Sequence, residues 1–362
     1  MRKQHLLLGA ALFFVLGSSC GTRTGWAQQS QSGTPLRVVV DLVQLNVAVT
    51  DNKGNYITNL QPADFVVTED GIPEKIATFE EGGGPTRRLV DISDEDKPEA
   101  GNSSPVLTDE QTGGVPANLN AALAGADVFI LFDTSNYMYR GFVFAQDAIS
   151  DFIRSLETVD KVAFYSYSRN LSRAAPLTAD RARVLRGVRT TVAGDDAALY
   201  NCLLLTIKDG AQYPGRKVVV VFSNGPDNAS VVPPEDVTEL AQSVGIPVYM
   251  VSTAEAQIEP VSTAVFERLS AATGGKAYFA KSWRDEKKAF ASIRNDLGHL
   301  YSISYYPAVN PNHRWRGINV KLVGERAKKY HIRTRNGYRP QPIHSSEASA
   351  STPSAESKSP AN

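Results

Sequence analysis

The spacing of hydrophobic residues changes along the chain, and each change predicts a different kind of element. Residues 36–50 alternate, with Val39, Val43, Leu45, Val47 and Val49 on one face, the period-two signature of a half-buried strand. Turn residues follow at Asp51-Asn52-Lys53-Gly54 and again at Asp70-Gly71, and they separate further short strands over 65–68 and 76–79. From residue 127 short apolar runs alternate with helical periods. Strands are predicted over 128–132, 162–167, 218–222, 248–251 and 277–280. Helices are predicted over 142–156, 179–188, 197–211, 234–244, 262–272 and 284–297. Short, nearly continuous apolar strands between helices describe a parallel sheet covered on both faces, the doubly wound α/β class. Alternation returns over 301–306, 317–322 and 330–334. Neither terminal set of strands is large enough to bury a core alone, so both are expected to form one small β-sandwich into which the α/β domain is inserted.

Composition sets the boundaries. Residues 82–118 are rich in Gly, Pro, Ser, Asp and Glu and read as a linker, and residues 341–362 form a Ser/Pro/Ala-rich tail expected to be disordered. The expected organisation is a signal peptide over 1–27, an N-terminal β-unit over 36–81, the linker, an α/β domain over 119–299, C-terminal strands over 300–340 and the tail. The signal peptide rests on Arg2 and Lys3, an apolar run over 6–16 that is too short to span a bilayer, and small residues at Gly25-Trp26-Ala27. No transmembrane segment is expected in the mature chain. The protein is therefore expected to be exported: periplasmic, secreted or envelope-associated. The alternative is a lipid anchor at Cys20, whose Leu16 lies one residue beyond the usual lipoprotein spacing.

Charge and chemistry exclude several functions. Lys plus Arg and Asp plus Glu both total 38, so no net field favours nucleic acid, and no nucleic-acid partner is expected. Cys20 and Cys202 are the only cysteines, which rules out a disulfide framework, and Cys202 reads as a buried, inert thiol. The five histidines (His5, His299, His313, His331, His344) show no metal-helix spacing. There is no Gly-x-Ser-x-Gly elbow, phosphate loop or dinucleotide fingerprint, so no enzyme is expected. Asn228-Ala229-Ser230 fits a glycosylation acceptor by chance. Residues 313–339 hold nine Lys/Arg against Glu325. Alternation puts His331, Arg333 and Arg335 on one face, read as solvated, with an acidic glycan or envelope surface as the functional alternative.

Ligands of doubly wound domains bind beyond the carboxyl ends of the strands. The segment Ile130-Leu131-Phe132-Asp133-Thr134-Ser135-Asn136-Tyr137-Met138 resembles the opening of a von Willebrand factor type A domain, whose metal site begins Asp-x-Ser-x-Ser. Gly194-Asp195-Asp196-Ala197 resembles its second loop, and Phe222-Ser223-Asn224-Gly225 its third. With the flanking Asp64-Phe65, Glu69-Asp70-Gly71 and Arg335-Asn336-Gly337-Tyr338, the chain is similar to the VWFA-related family of secreted proteins named from acidobacterial genomes. The resemblance implies an adhesion-like binding module without catalytic activity.

It also implies a Mg²⁺ site. Asp133 and Ser135 match two of its five customary positions, while Tyr137, Ala197 and Asn224 replace a Ser, a Thr and an Asp. The site is expected to be degenerate and no cofactor is expected, Mg²⁺ being the one candidate ion, with Asp195 and Asp196 as substitute ligands. The candidate binding residues are Asp133, Ser135, Asn136, Tyr137, Asp195, Asp196 and Asn224, with Tyr139 suited to an interface. The expected partner is a protein or envelope component of unknown identity. The alternatives are a structural or assembly component of the envelope without ligand binding and, more distantly, an envelope hydrolase. Mass spectrometry of the mature N-terminus should find unmodified Gln28; a diacylglyceryl Cys20 would replace cleavage by anchoring, and an intact Met1 would refute export.

Overall fold

The central sheet of the computed structural model has six strands, which run from edge to edge as Ala277–Phe279, Val248–Ser252, Lys217–Phe222, Ala126–Asp133, Val159–Tyr167 and Leu171–Thr178. The structure describes residues 42–82, 84, 86–89, 126–156, 159–252, 260–281, 283–308 and 314–340. All of them fall within one compact unit, Val40–Asn362. The expected signal peptide, Cys20, the tail, most of the linker, and residues 36–41 of the first strand lie outside the described residues.

The strands of the central sheet are β6 (Ala126–Asp133), β7 (Val159–Tyr167), β8 (Leu171–Thr178), β9 (Lys217–Phe222), β10 (Val248–Ser252) and β11 (Ala277–Phe279). Every pair is parallel except β7 with β8. β6 is buried along its whole length, and its side chains split by strand periodicity. Val128, Ile130 and Phe132 join the core on one face, and Phe129 and Leu131 join that on the other. Helices Phe142–Ser155 (α1), Arg181–Arg189 (α2) and Trp283–His299 (α6) cover the first face. Helices Leu199–Ala211 (α3), Pro234–Val244 (α4) and Pro260–Thr273 (α5) cover the second. The ends of α4 follow local chemistry. Pro234 opens it, Glu235 and Asp236 sit in its first turn, and Gly245 closes it at φ +70, where a side chain would be strained. Cys202 is on the buried face of α3 and its thiol is pushed up to about 12 by desolvation, the inert state expected for it.

β8 is the longest strand that the sequence pattern hides. It is an edge strand, so Pro176 costs no ladder bond to a further neighbour, and its alternation is broken by Ser, Arg and Pro.

The terminal strands pair as expected. β12 (Tyr301–Tyr305) follows α6 directly and enters between two N-terminal strands, β1 (Val43–Thr50) and β4 (Ile76–Glu81), antiparallel to both. With β5 (Arg87–Arg88) and β14 (His331–Arg333) these make a five-stranded sheet. β2 (Phe65–Glu69), β3 (Ile72–Glu74), β13 (Arg316–Leu322) and β15 (Gly337–Tyr338) make a four-stranded one. Both sheets contribute to a single apolar core, in which Val43, Leu45, Val47 and Val49 of β1 meet Phe65, Val67, Ile318, Val320 and Leu322. Inside it Glu69 is fully buried, and accepts from Tyr305 Oη (2.6 Å), Tyr338 Oη (3.1 Å) and Arg316 Nη1 (2.7 Å).

The other face of the five-stranded sheet packs on the α/β layer. Ala48 enters the α/β core, while Asn46, Thr78, Glu80, Ser302 and Ser304 are buried polar neighbours. Here the solvated reading of the C-terminal basic face is corrected. His331 is exposed, but Arg333 is half-buried and Arg335 is buried. The Arg335 guanidinium donates to the carbonyls of Gln242 and Gln44, one from each layer. Arg333 donates to Gly274 O and to the carboxylate of Asp296, which has no exposure at all. Asp296 also accepts from Tyr249 Oη (2.6 Å) and Tyr56 Oη (2.7 Å). Strand alternation predicted the shared face correctly, but the face covers a neighbouring layer, and arginine is tolerated because the Nη groups of Arg333 and Arg335 find carbonyls or a carboxylate.

Arg333→Met should leave Asp296 buried without its cation and cost about 3–5 kcal/mol, the range for breaking a buried pair from one side. Chemical denaturation measures it; a loss below 1 kcal/mol would mean that the two phenols alone satisfy the carboxylate.

Candidate functional site

At the carboxyl end of β6 the backbone turns sharply, and Asp133 is the residue that holds the turn. Its Oδ1 accepts from the N–H of Ser135 (2.8 Å), and its Oδ2 accepts from Ser223 Oγ (2.7 Å) at the end of β9. Ser223 Oγ in turn accepts from Tyr167 Oη (3.0 Å), which ends β7, and from Gly225 N–H (3.0 Å). One carboxylate thus links the ends of three adjacent strands. Asp133, Ser135 and Ser223 are buried, and desolvation raises the Asp133 carboxyl above its ordinary value against the pull of these hydrogen bonds.

The second loop is joined to the first through backbone hydrogen bonds, and the third through the side chain of Asn224. Asn136 N–H donates to Asp195 O (3.0 Å), and Gly194 N–H to Thr134 O (2.7 Å). Asn224 is buried, and its Nδ2 donates to Tyr137 O (3.1 Å). Ala197 N–H donates to Asn228 Oδ1 (2.8 Å). Beyond it, the first turn of α3 is capped from another loop: Tyr200 N–H donates to Asp227 Oδ2 (3.0 Å) and Asn201 N–H to Ser230 Oγ (3.0 Å). Asn201 Oδ1 reciprocates by accepting from Val231 and Val232 (both 3.1 Å).

The sequence reading missed Asp227, Asn228, Ser230 and Asn201, all of which work in this clasp. The signal available was Asp227-Asn228-Ala229-Ser230, a run of short acceptors that favours turns and caps. Asn228 and Ser230, read as a chance glycosylation motif, are instead bonded to the neighbouring loop.

Of the candidate binding residues, Asp133, Ser135 and Asn224 lie beneath the surface, whereas Asn136 and Asp195 are exposed and Tyr137 and Asp196 half-exposed. Tyr139 is exposed, and its hydroxyl donates to Gly194 O (3.0 Å) and to Asp195 Oδ1 (3.1 Å).

A hard dication needs about six oxygens in octahedral array, with carboxylates to offset its charge. Here both Asp133 oxygens already accept hydrogen bonds, Ala197 offers no side-chain oxygen, and the Tyr137 carbonyl is taken by Asn224. Asp195 is bonded to Tyr139, and Asp196 pairs with Arg169 at 3.3 Å. Ser135 Oγ is buried and offers a single neutral oxygen. These residues do not fit a Mg²⁺ ion in this arrangement. Among the described residues no group of three or more His, Cys, Asp or Glu side chains converges as a ligand set.

A doubly wound sheet with one antiparallel edge, an Asp-x-Ser turn after the central strand and two further loops beside it define the von Willebrand A class. Residues 127–292 match the family model of the von Willebrand factor type A domain, and this segment of the chain is such a domain. Solved structures of similar shape include BatB, a conserved hypothetical protein from Bacteroides thetaiotaomicron (14% identity, 48% of this chain, 98% of that chain, TM-score 0.40). They also include a von Willebrand factor type A protein from Catenulispora acidiphila (12% identity, 58% and 65% coverage, TM-score 0.42). A third is the vWF domain of the type V pili tip protein Mfa5 from Porphyromonas gingivalis (10% identity, 47% and 94% coverage, TM-score 0.39). A comparison with curated proteins gave no match.

The raised Asp133 carboxyl gives a pH prediction. At low pH the group is protonated in both states and imposes no cost. As pH rises past the ordinary carboxyl range the unfolded chain ionises first, so stability falls until the folded group ionises as well. Glu286, pushed up to about 7 by burial, acts in the same direction and is common to both proteins in a comparison with Asp133→Asn. Relative to the parent, the variant should therefore lose less stability between pH 4 and pH 8. Melting curves across that window check it, and parallel curves would refute it.

Proposed function

We propose that the protein is an exported binding module that recognises a protein or envelope component through the loops above its central sheet. The observation that carries this reading is the stitching of three loops into one platform by Asp133, Ser223, Asn224, Asp227 and Asn228. Asn136, Tyr139, Val192 and Val231 stand exposed on those loops, with Tyr137 half-exposed among them. Rigid aromatic side chains on a pre-ordered surface lose little entropy on association, which is why tyrosines concentrate affinity at interfaces. Von Willebrand A domains act in general as interaction modules, and the platform suits that role without an ion. Export rests on the N-terminal leader; no helix among the described residues is long and apolar enough to cross a membrane.

Catalysis has no support at this site. Ser223 is buried, its hydroxyl is engaged by Asp133, Tyr167 and Gly225, and it has no histidine partner.

Cross-linking capture from an envelope extract tests the reading. The parent should enrich a discrete partner, equally in EDTA and in millimolar Mg²⁺, and Tyr137→Ala/Tyr139→Ala should reduce recovery at least ~10-fold, as for interface hot spots. Capture that the double variant leaves intact would move recognition elsewhere. Absence of any partner would favour a structural envelope component, and dependence on Mg²⁺ would restore the metal-dependent reading.

A further inference from the structure

A cleft of about 230 Å³ lies away from the loops, between α4, α5 and the segment that enters β13. Its wall is Trp315, whose side chain remains 40% exposed although the residue is held in place. A Cβ on Gly337 would come within 2.4 Å of the indole Cζ2 and 2.7 Å of Cε2, so the ring rests directly on the Gly337 backbone. The absence of a side chain at 337 lets the indole lie there as a fixed plate. Leu269, a buried residue of α5, supplies an apolar floor.

The rim is polar, and its charges are balanced. Glu235 Oε1 pairs with Arg268 Nη2 at 3.0 Å, and Glu239 Oε1 pairs with Arg339 Nε at 2.6 Å. Both pairs are substantially exposed. Thr238 Oγ1 donates to Pro234 O (2.7 Å) and keeps its lone pairs for a ligand. Two balanced ion pairs give no net field to attract a polyanion or a polycation. What they present is a set of donors and acceptors beside an aromatic plate.

We propose that this cleft binds one pyranose ring of a neutral polysaccharide. A pyranose has an apolar C–H face, which the indole would cover, and an edge of vicinal hydroxyls that both donate and accept, as the carboxylate and guanidinium edges require. The volume lies below the usual range for drug-sized ligands, so a single ring fits. The cleft is open to solvent, which lets a polymer continue on either side. None of its residues belongs to the platform above the sheet, so this site and the protein-recognition reading stand or fall separately.

Affinity electrophoresis of the full chain through native gels containing laminarin, hydroxyethyl cellulose, galactomannan or soluble starch tests the assignment. At least one of these neutral polymers should retard the protein. Trp315→Ala should raise the apparent dissociation constant at least ~10-fold, as expected for loss of an aromatic anchor. Trp315→Tyr should restore part of the affinity, and Glu239→Gln should weaken it several-fold, while Tyr137→Ala/Tyr139→Ala should not change it. If Trp315→Ala fails to fold, the Tyr and Gln variants carry the comparison alone. Retardation by none of the four polymers overturns the proposal. So does retardation that survives loss of the indole, or displacement of the polymer by a lysine-rich peptide at equal concentration, which would identify the cleft as a basic-peptide site.

Discussion

The buried carboxylate of Asp296 constrains how the two layers of this protein meet. It sits on α6 with no access to water, and its partners come from three separate places: Tyr56 after β1, Tyr249 on β10 and Arg333 on β14. An ionised carboxylate at such a depth is costly unless paired and hydrogen-bonded, so the native arrangement must bring all three segments to the same point. Two of them belong to the sandwich strands and their connections, and one to the central sheet. The same interface contains Glu80 paired with Arg216 at 3.4 Å and Arg335 bridging Gln44 and Gln242. An apolar contact would tolerate sliding; fixed donors and acceptors select one register between the layers.

These contacts also explain what the sequence showed and what it hid. The central strands were legible because a strand buried on both faces must be apolar along its middle, as at residues 128–132 and 218–222. Their helices were legible through amphipathic spacing, and the shared sandwich through the shortage of core in either terminal set. Charged residues in alternation carry no such signal. Glu69, Asp296, Arg333 and Arg335 look like solvent-facing positions, and whether a face meets water or another layer depends on tertiary packing. β8 was hidden for a related reason, since an edge strand needs apolar residues on only part of its surface.

The candidate site divides in the same way. Asp133, Ser135 and the third-loop Ser223-Asn224-Gly225 could be placed from sequence because they follow strands at the end of the sheet where doubly wound domains bind. Their burial could not be read off, since a polar loop after a strand ordinarily points to solvent. The clasp of Asp227, Asn228 and Ser230 on α3 was invisible because the residues it joins are about thirty positions apart. Tyr167 entered the Asp133 network from β7, where it read only as one more aromatic residue of a core strand.

The departures from the metal motif form a consistent set. At each altered position a neutral hydrogen bond holds the loops: the Asn224 amide binds the Tyr137 carbonyl, and the Ala197 N–H binds Asn228. An ion in such a place joins loops by its charge, and its arrival or loss can shift a conformational equilibrium only through unequal affinity for two states. Amide-to-carbonyl bonds within the chain have no concentration dependence, so a platform tied by them is held in one geometry. Under the proposed binding role, specificity would rest on which side chains the fixed loops present, chiefly Asn136, Tyr137 and Tyr139, and on the electrostatics of a buried Asp133 without a formal counter-charge among its bonded partners.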